Sequence, residues 1–213
     1  MRTVIPGAFS VSNTLEAAAC ASCLGISPAV ISQAICALSG VSGRMERVRI
    51  GTADYSVFID YAHTPDALWN VLNTIRSLKQ DERRLVLVFG CGGDRDKTKR
   101  PVMGKIASEL ADLCVVTSDN SRSEDPMDII KDITEGMWEG TYVVIPKRAD
   151  AIDYVIREAV RGDVILLAGK GHEEYEIDRD GKHPFCEREI VKAAVHRYSC
   201  DILSDKQNND GGE

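Results

Sequence analysis

Apolar residues along this chain fall into two alternating patterns, short uncharged runs and longer stretches with a 3.6-residue period. The run Leu85–Gly90 (LVLVFG) reads as a strand buried on both faces, and it stops at Cys91-Gly92-Gly93, where Asp94, Arg95, Asp96 and Lys97 follow at once. Leu113–Thr117, Tyr142–Ile145 and Val164–Ala168 repeat the strand pattern. Between them lie helical stretches. Thr64 and Pro65 open one with a core face of Leu68, Val71, Leu72, Ile75 and Leu78. Others are predicted at Pro101–Leu110, from Pro126 to about Trp138 with Asp125 as cap, and at Ala149–Val160. Strands alternating with helices of this length predict an α/β fold, a mostly parallel sheet with helices on both faces.

The flanks differ. Ahead of the α/β stretch, Glu46–Ile50 and Tyr55–Asp60 alternate as two strands. Earlier still, Asn13 with Glu16 forms a capping box for a helix that Gly25 stops, and Ser27-Pro28 opens a second helix with the stripe Ile31, Ala34, Ile35 and Leu38. Two small helices with apolar faces need a layer to cover them. At the other end, Tyr175–Ile177 with a turn at Asp180-Gly181 predicts a hairpin, and Glu187–Val195 a helix. Residues 204–213, closing on QNNDGGE, are expected to be a disordered tail.

Composition changes this picture little: 44% of the 213 residues are hydrophobic and 28% charged, as in an ordinary globular protein. The formal charge of −7 argues against a nucleic-acid partner, which calls for a basic surface. No apolar run approaches the ~18 residues of a membrane span, so a cytoplasmic protein without a membrane partner is expected. Seven cysteines are present. Cys20 and Cys23 form a C-x-x-C inside a helical stretch without a second pair at zinc spacing, and buried reduced thiols with no metal site are expected.

Three strands end in charged loops, GGDRDKTKR, SDNSR and GKGHE. Together they bring Arg95, Lys97, Asp119, Asn120, Arg122, Lys170, His172 and Glu173 to one sheet edge, where ligands of open α/β folds bind. Guanidinium forks beside carboxylate acceptors suit a zwitterion. The first loop is not a phosphate loop, because Cys91 and Asp96 stand where G-x4-G-K-[ST] needs glycine, and GCGGDR lacks the third glycine of a dinucleotide fingerprint. His63, between a strand end and a helix start, carries little signal alone.

In order, GRMER (43–47), DYAHTPDAL (60–68), VFGCGGDRDKTKRP (88–101), SDNSRSEDP (118–126) and AGKGHEEY (168–175) resemble the Mur ligases. Among these the similarity is to the ATP-dependent members that add meso-diaminopimelate to UDP-N-acetylmuramoyl-L-alanyl-D-glutamate, the UDP-MurNAc-dipeptide of peptidoglycan synthesis, and it covers residues 9–198. The resemblance implies that residues 1–43 are the helical end of the central ATPase domain and 44–203 a Rossmann-like C-terminal domain. It also implies roles. Asn13, Arg44, Asp60 and His63 would contact nucleotide. Arg95, Asp119, Asn120, Ser121, Arg122, Gly169 and Glu173 would hold diaminopimelate, and Lys97 would line the interdomain cleft.

The resemblance further implies ATP and Mg²⁺, whose main binding elements are missing from this sequence, and an acyl-phosphate route to the new amide. The chain departs from the family pattern at Ser121, where the family's DNPR has proline, and at Ser10, where an adenine-side asparagine is usual. The expectation is the C-terminal portion of a diaminopimelate-adding ligase from a truncated or split gene. On its own it would be inactive, with the missing domains as partners in trans. The alternative is a stand-alone amino-acid-binding or partner-docking module.

Overall fold

The computed structural model describes residues 7–51, 53–78 and 83–209. Six strands form one sheet in the order β1-β2-β6-β3-β4-β5: β1 Glu46–Val48, β2 Ser56–Asp60, β3 Leu85–Phe89, β4 Leu113–Val116, β5 Tyr142–Val144 and β6 Val164–Ala168. All neighbours are parallel except β1, which pairs antiparallel with β2 at the edge. The fold is therefore the mostly parallel α/β arrangement read from the sequence.

Alternation within the buried strands divides the core into two layers. Leu85, Leu87 and Phe89 of β3 and Leu166 and Ala168 of β6 face one layer. There they meet Leu68, Val71, Leu72 and Ile75 of α3 (Pro65–Leu78), Met103 and Ala107 of α4 (Lys99–Leu110), and Ile129, Ile130 and Ile133 of α5 (Pro126–Thr134). Val86, Val88, Ile165 and Leu167 face the other layer, against Ile152, Val155 and Ile156 of α6 (Arg148–Arg157) and Val191, Ala194 and Val195 of α7 (Glu187–Asn209). Complete burial of β3 and β6 explains their unbroken apolar runs. Leu78, expected on the core face, is exposed at the last residue of α3.

The flanks depart from their local sequence signals. α1 spans Ala8–Cys23 with Gly7 at its N-cap, so Asn13 lies exposed inside the helix and caps nothing. Phe9 packs against the α3 side of the core and draws the helix start forward, a tertiary contact overriding a local cap. Gly25 ends it as expected, at φ +81°, with Ile26 N–H donating to Ala21 O. Ser27 and Pro28 open α2 (Pro28–Ala37) as expected. Of its stripe only Ile31 is buried and Ile35 half-buried, whereas Ala34 and Leu38 are exposed. Cys20, Cys23 and Cys36 on these helices are exposed rather than buried, because neither helix belongs to the layers on the sheet, while Cys91 and Cys114 are buried there.

The hairpin is β7 (Tyr175–Asp178) paired with β8 (Gly181–Pro184). α7 continues past Val195 to Asn209, through a stretch without glycine or proline, so it includes part of the expected tail. Residues 210–213 of that tail lie outside the described residues. Among the described residues no helix is long and apolar enough to cross a membrane.

Candidate functional site

Because β6 and β4 flank β3, the loops leaving β3 and β6 diverge at a topological switch point, where a crevice opens outside the carboxyl ends of the strands. A cleft of about 380 Å³ lies there, lined by Tyr61, His63 and Thr64 after β2, Gly92, Arg95 and Asp96 after β3, Lys99 at the start of α4, Asp119, Asn120 and Arg122 after β4, and Gly169 and Glu173 after β6. Arg95, Lys99 and Arg122 line it together with the carboxylates of Asp96, Asp119 and Glu173, a mixture matched to a zwitterion. A larger open concavity of about 1040 Å³ beside β1 includes Arg44, Tyr55 and Phe58 but lacks these converging groups.

One wall is a carboxylate held by neutral donors. Glu173 Oε2 accepts from Asn120 Nδ2 at 2.9 Å, and Oε1 accepts from the Tyr61 hydroxyl at 3.2 Å. Burial, then the nearby Glu173 charge, raises the Tyr61 pKa, so the phenol keeps its proton and remains a donor. Asn120 Oδ1 is saturated from below by Lys170 Nζ and by Ile177 N–H, each at 3.0 Å. Asp119 Oδ1 accepts the Asn120 N–H at 2.6 Å and lies 3.5 Å from Lys170 Nζ.

The opposite wall is basic. Arg122 sits at φ +51°, unusual for a side-chain-bearing residue, and its N–H donates to Ile177 O. Its Nη1 donates to Gly93 O at 2.8 Å and to Asn120 O at 3.2 Å, while Nε and Nη2 make no hydrogen bond to the described residues. Arg95 projects from the β3 loop with Nη1 on Asp94 O. That loop is pressed on the β4 loop: a Cβ built at Gly93 would stand 1.9 Å from Ser121 O. Ser121 is buried behind the wall rather than lining it.

An ion-pair cluster clamps the two loops. Buried Arg100 donates from Nη1 and Nη2 to both Glu124 oxygens, from Nη1 to Asp132, and from Nη2 to Gly92 O, while Lys97 reaches Glu124 at 2.9 Å. Arg100, then Lys97, lowers the Glu124 pKa to about 2. A depressed carboxylate stabilises the fold above its unfolded pKa, and that contribution fades as pH falls toward the folded value. Wild type should therefore lose its stability advantage over Glu124→Gln between pH ~4.5 and about 2, measured by urea unfolding at stepped pH. An advantage independent of pH across that window would exclude the carboxylate as its source.

Beneath the cleft, Arg148 is fully buried. Its Nε donates to Glu187 at 2.8 Å, Nη1 to Ser118 O at 3.3 Å and Nη2 to Ala168 O at 2.8 Å, so it ties the ends of β4 and β6 across β3. Neither Arg148 nor the depth of Lys170 was legible in the sequence, where both look like solvated charges.

The residues expected to meet nucleotide are dispersed. Arg44 stacks 4.9 Å above the Tyr61 ring, and His63 packs edge-on to the same ring at 4.6 Å. His63 Nδ1 donates to Tyr61 O at 2.8 Å, since a carbonyl oxygen can only accept. Asp60 is committed elsewhere: its carboxylate accepts the Met45 N–H at 2.7 Å, and burial raises its pKa against the pull of the Met45 and Ala62 amides. Asn13 is on α1, outside the cleft lining. Lys97 is exposed and bound to Glu124. Among the described residues no group of three His, Cys, Asp or Glu could hold a metal ion.

Residues 43–171, which carry β1 to β6 and the cleft lining up to Gly169, match the family described as Mur ligase, glutamate ligase domain. The chain belongs to the Mur ligase family. It is 46% identical over 192 residues to the UDP-N-acetylmuramoyl-L-alanyl-D-glutamate--2,6-diaminopimelate ligase of Clostridium tetani, covering 90% of this chain and 39% of that protein. The protein of the same name from Caldanaerobacter subterraneus subsp. tengcongensis is 50% identical over 190 residues, covering 88% and 39%. A solved structure of a ligase with this name matches with a TM-score of 0.71 at 36% identity, over 93% of this chain and 40% of that one. A folylpolyglutamate synthase of Mycobacterium tuberculosis shares the fold, at a TM-score of 0.63 and 21% identity, over 92% and 41%. This Mur ligase chain spans about two fifths of the length of the curated relatives it matches.

Proposed function

We propose that this Mur ligase chain is the amino-acid-binding portion of a cytoplasmic ligase that adds meso-diaminopimelate to UDP-N-acetylmuramoyl-L-alanyl-D-glutamate. The observation that carries this reading is the pairing of Glu173, fixed by Asn120 and Tyr61, with Arg122, whose Nε and Nη2 have no partner among the described residues. Glu173 accepts from an ammonium of the amino acid, and Arg122 grips a carboxylate with its free fork, supported by Arg95. Lysine lacks the second carboxylate and would leave the fork unpaired in a desolvated cleft.

ATP supplies the phosphoryl group that activates the D-glutamyl carboxylate. Arg44 and His63, grouped around Tyr61, fit contacts to a nucleotide, whereas Asp60 reaches it only by releasing the Met45 N–H. The described residues do not fit a Mg²⁺ site, and the sequence holds no G-x4-G-K-[ST]. This chain alone is therefore expected to bind and orient the amine without catalysing ligation. Exposed Leu15 and Val30 on α1 and α2, with Leu24 and Leu38 at their C-caps, support docking on the remainder of the ligase, in cis or in trans.

Calorimetric titration tests the reading. Meso-diaminopimelate should give saturable heat and L-lysine none, and Glu173→Gln should weaken the first by about tenfold or more. Equal affinity for L-lysine would sink the assignment. Ser121→Pro should keep the selectivity and add about 0.5–1 kcal/mol of stability, because the Ser121 N–H makes no hydrogen bond to the described residues.

A further inference from the structure

The loop after β6 reads Gly-Lys-Gly, and both glycines take left-handed φ, +119° at Gly169 and +55° at Gly171. A Cβ at 169 would stand 2.7 Å from Asp119 Oδ2, and one at 171 would stand 2.7 Å from Tyr61 Cβ. Residue 170 is thus turned inward by two positions that only glycine fills without strain. What it carries inward is a lysine side chain with no exposed surface. Such a group persists in a core only where its protons are spoken for.

Its partners are ordered by distance. Lys170 Nζ donates at 3.0 Å to Asn120 Oδ1 and at 3.0 Å to Tyr175 O, and lies further, 3.5 Å, from the Asp119 carboxylate. Asn120 is the sensitive one. A carboxamide turned by 180° exchanges an acceptor for a donor at nearly the same shape, so its orientation depends on what surrounds it. Here Lys170 Nζ and Ile177 N–H both donate to one end, which must be oxygen. The other end, Nδ2, therefore faces Glu173 Oε2 as a donor. A turned amide would set its oxygen against the Glu173 carboxylate and two donors against Lys170 and Ile177.

We propose that Lys170 is a positioning residue of the amino-acid pocket, fixing the Asn120 carboxamide and through it the carboxylate of Glu173. The inference rests on the reading that Glu173 receives the ammonium of the amino acid. It differs from a counter-ion role toward Asp119, for which the carboxamide would be a bystander. Lys170 does not touch the ligand, and its effect travels along one chain of hydrogen bonds.

The test uses the ¹⁵N-labelled 213-residue chain, nuclear magnetic resonance of side-chain amide and ammonium signals, and meso-diaminopimelate as the probe. In wild type the Lys170 ammonium signal should be protected from exchange with water, and it should move together with the Asn120 carboxamide as ligand is added. Lys170→Met, which keeps length and removes the donor, should displace the Asn120 carboxamide signals without ligand and weaken binding by about tenfold or more. An unmoved carboxamide in Lys170→Met with affinity within about twofold of wild type would overturn the proposal. Should that variant not fold, wild type decides: an ammonium signal in rapid exchange, or one that ignores ligand while the carboxamide responds, also overturns it. Absence of meso-diaminopimelate binding in wild type would instead defeat the functional reading, and the carboxamide shift in Lys170→Met would still decide the positioning role.

Discussion

Arg148→Ala is expected to lower the unfolding free energy by about 3–5 kcal/mol, the usual cost of leaving one member of a buried ion pair alone. The guanidinium is fully buried and meets Glu187, Ser118 O and Ala168 O, so its removal strands a carboxylate and two carbonyls at once. Glu187 Oε2 already has no hydrogen-bond partner among the described residues, so that carboxylate has little to fall back on. Urea unfolding at neutral pH measures the loss. Replacing both members, Arg148→Met with Glu187→Leu, should recover most of it, because the desolvation of both charges disappears together. Meso-diaminopimelate affinity should stay low in the double variant, since the guanidinium that bonds both Ser118 O and Ala168 O is then gone. A loss below about 1 kcal/mol in the single variant would contradict the burial on which the argument depends.

Gly93→Ala carries the second large effect. The added methyl would meet Ser121 O at 1.9 Å, and that oxygen belongs to a buried backbone with no room to retreat. Forcing atoms into such a contact costs about 1–3 kcal/mol or more, and relief requires the β3 and β4 loops to separate. Separation would pull apart the bonds from Gly93 N–H to Asn120 O and from Arg122 Nη1 to Gly93 O. Stability and ligand affinity should therefore fall together, which parallel thermal melting and calorimetry would show. Unchanged binding in a destabilised Gly93→Ala would mean that the basic wall does not depend on this contact.

The sheet was legible because its strands are short apolar runs and its helices keep a 3.6-residue period, and both patterns follow from burial in layers. The loops of the cleft were legible because polar residues crowd the strand ends. Local signals misled where tertiary contact outweighed them: Asn13 has the chemistry of a cap, yet Phe9 reaches the core one turn earlier. Nor does a sequence mark which charges are buried. Arg148, Arg100 and Lys170 resemble any surface cation until the fold closes over them, and Arg100 and Lys170 then brace the loops of the cleft while Arg148 ties the strand ends beneath it. Asp60 stands in the expected motif, but the Met45 amide claims its carboxylate.

The place of β6 also governs the order in which the molecule can assemble. It is the last strand of the large sheet to be synthesised, and it inserts between β2 and β3. Until residues 164–168 leave the ribosome, β2 and β3 have no shared neighbour, and the growing chain carries two open parallel edges. β3, β4 and β5 can pair as they emerge, and so can β1 with β2, whereas the other edge of β2 must wait for a partner more than a hundred residues away. The sheet closes at its centre last, and the cleft forms in the same step that removes the exposed edges.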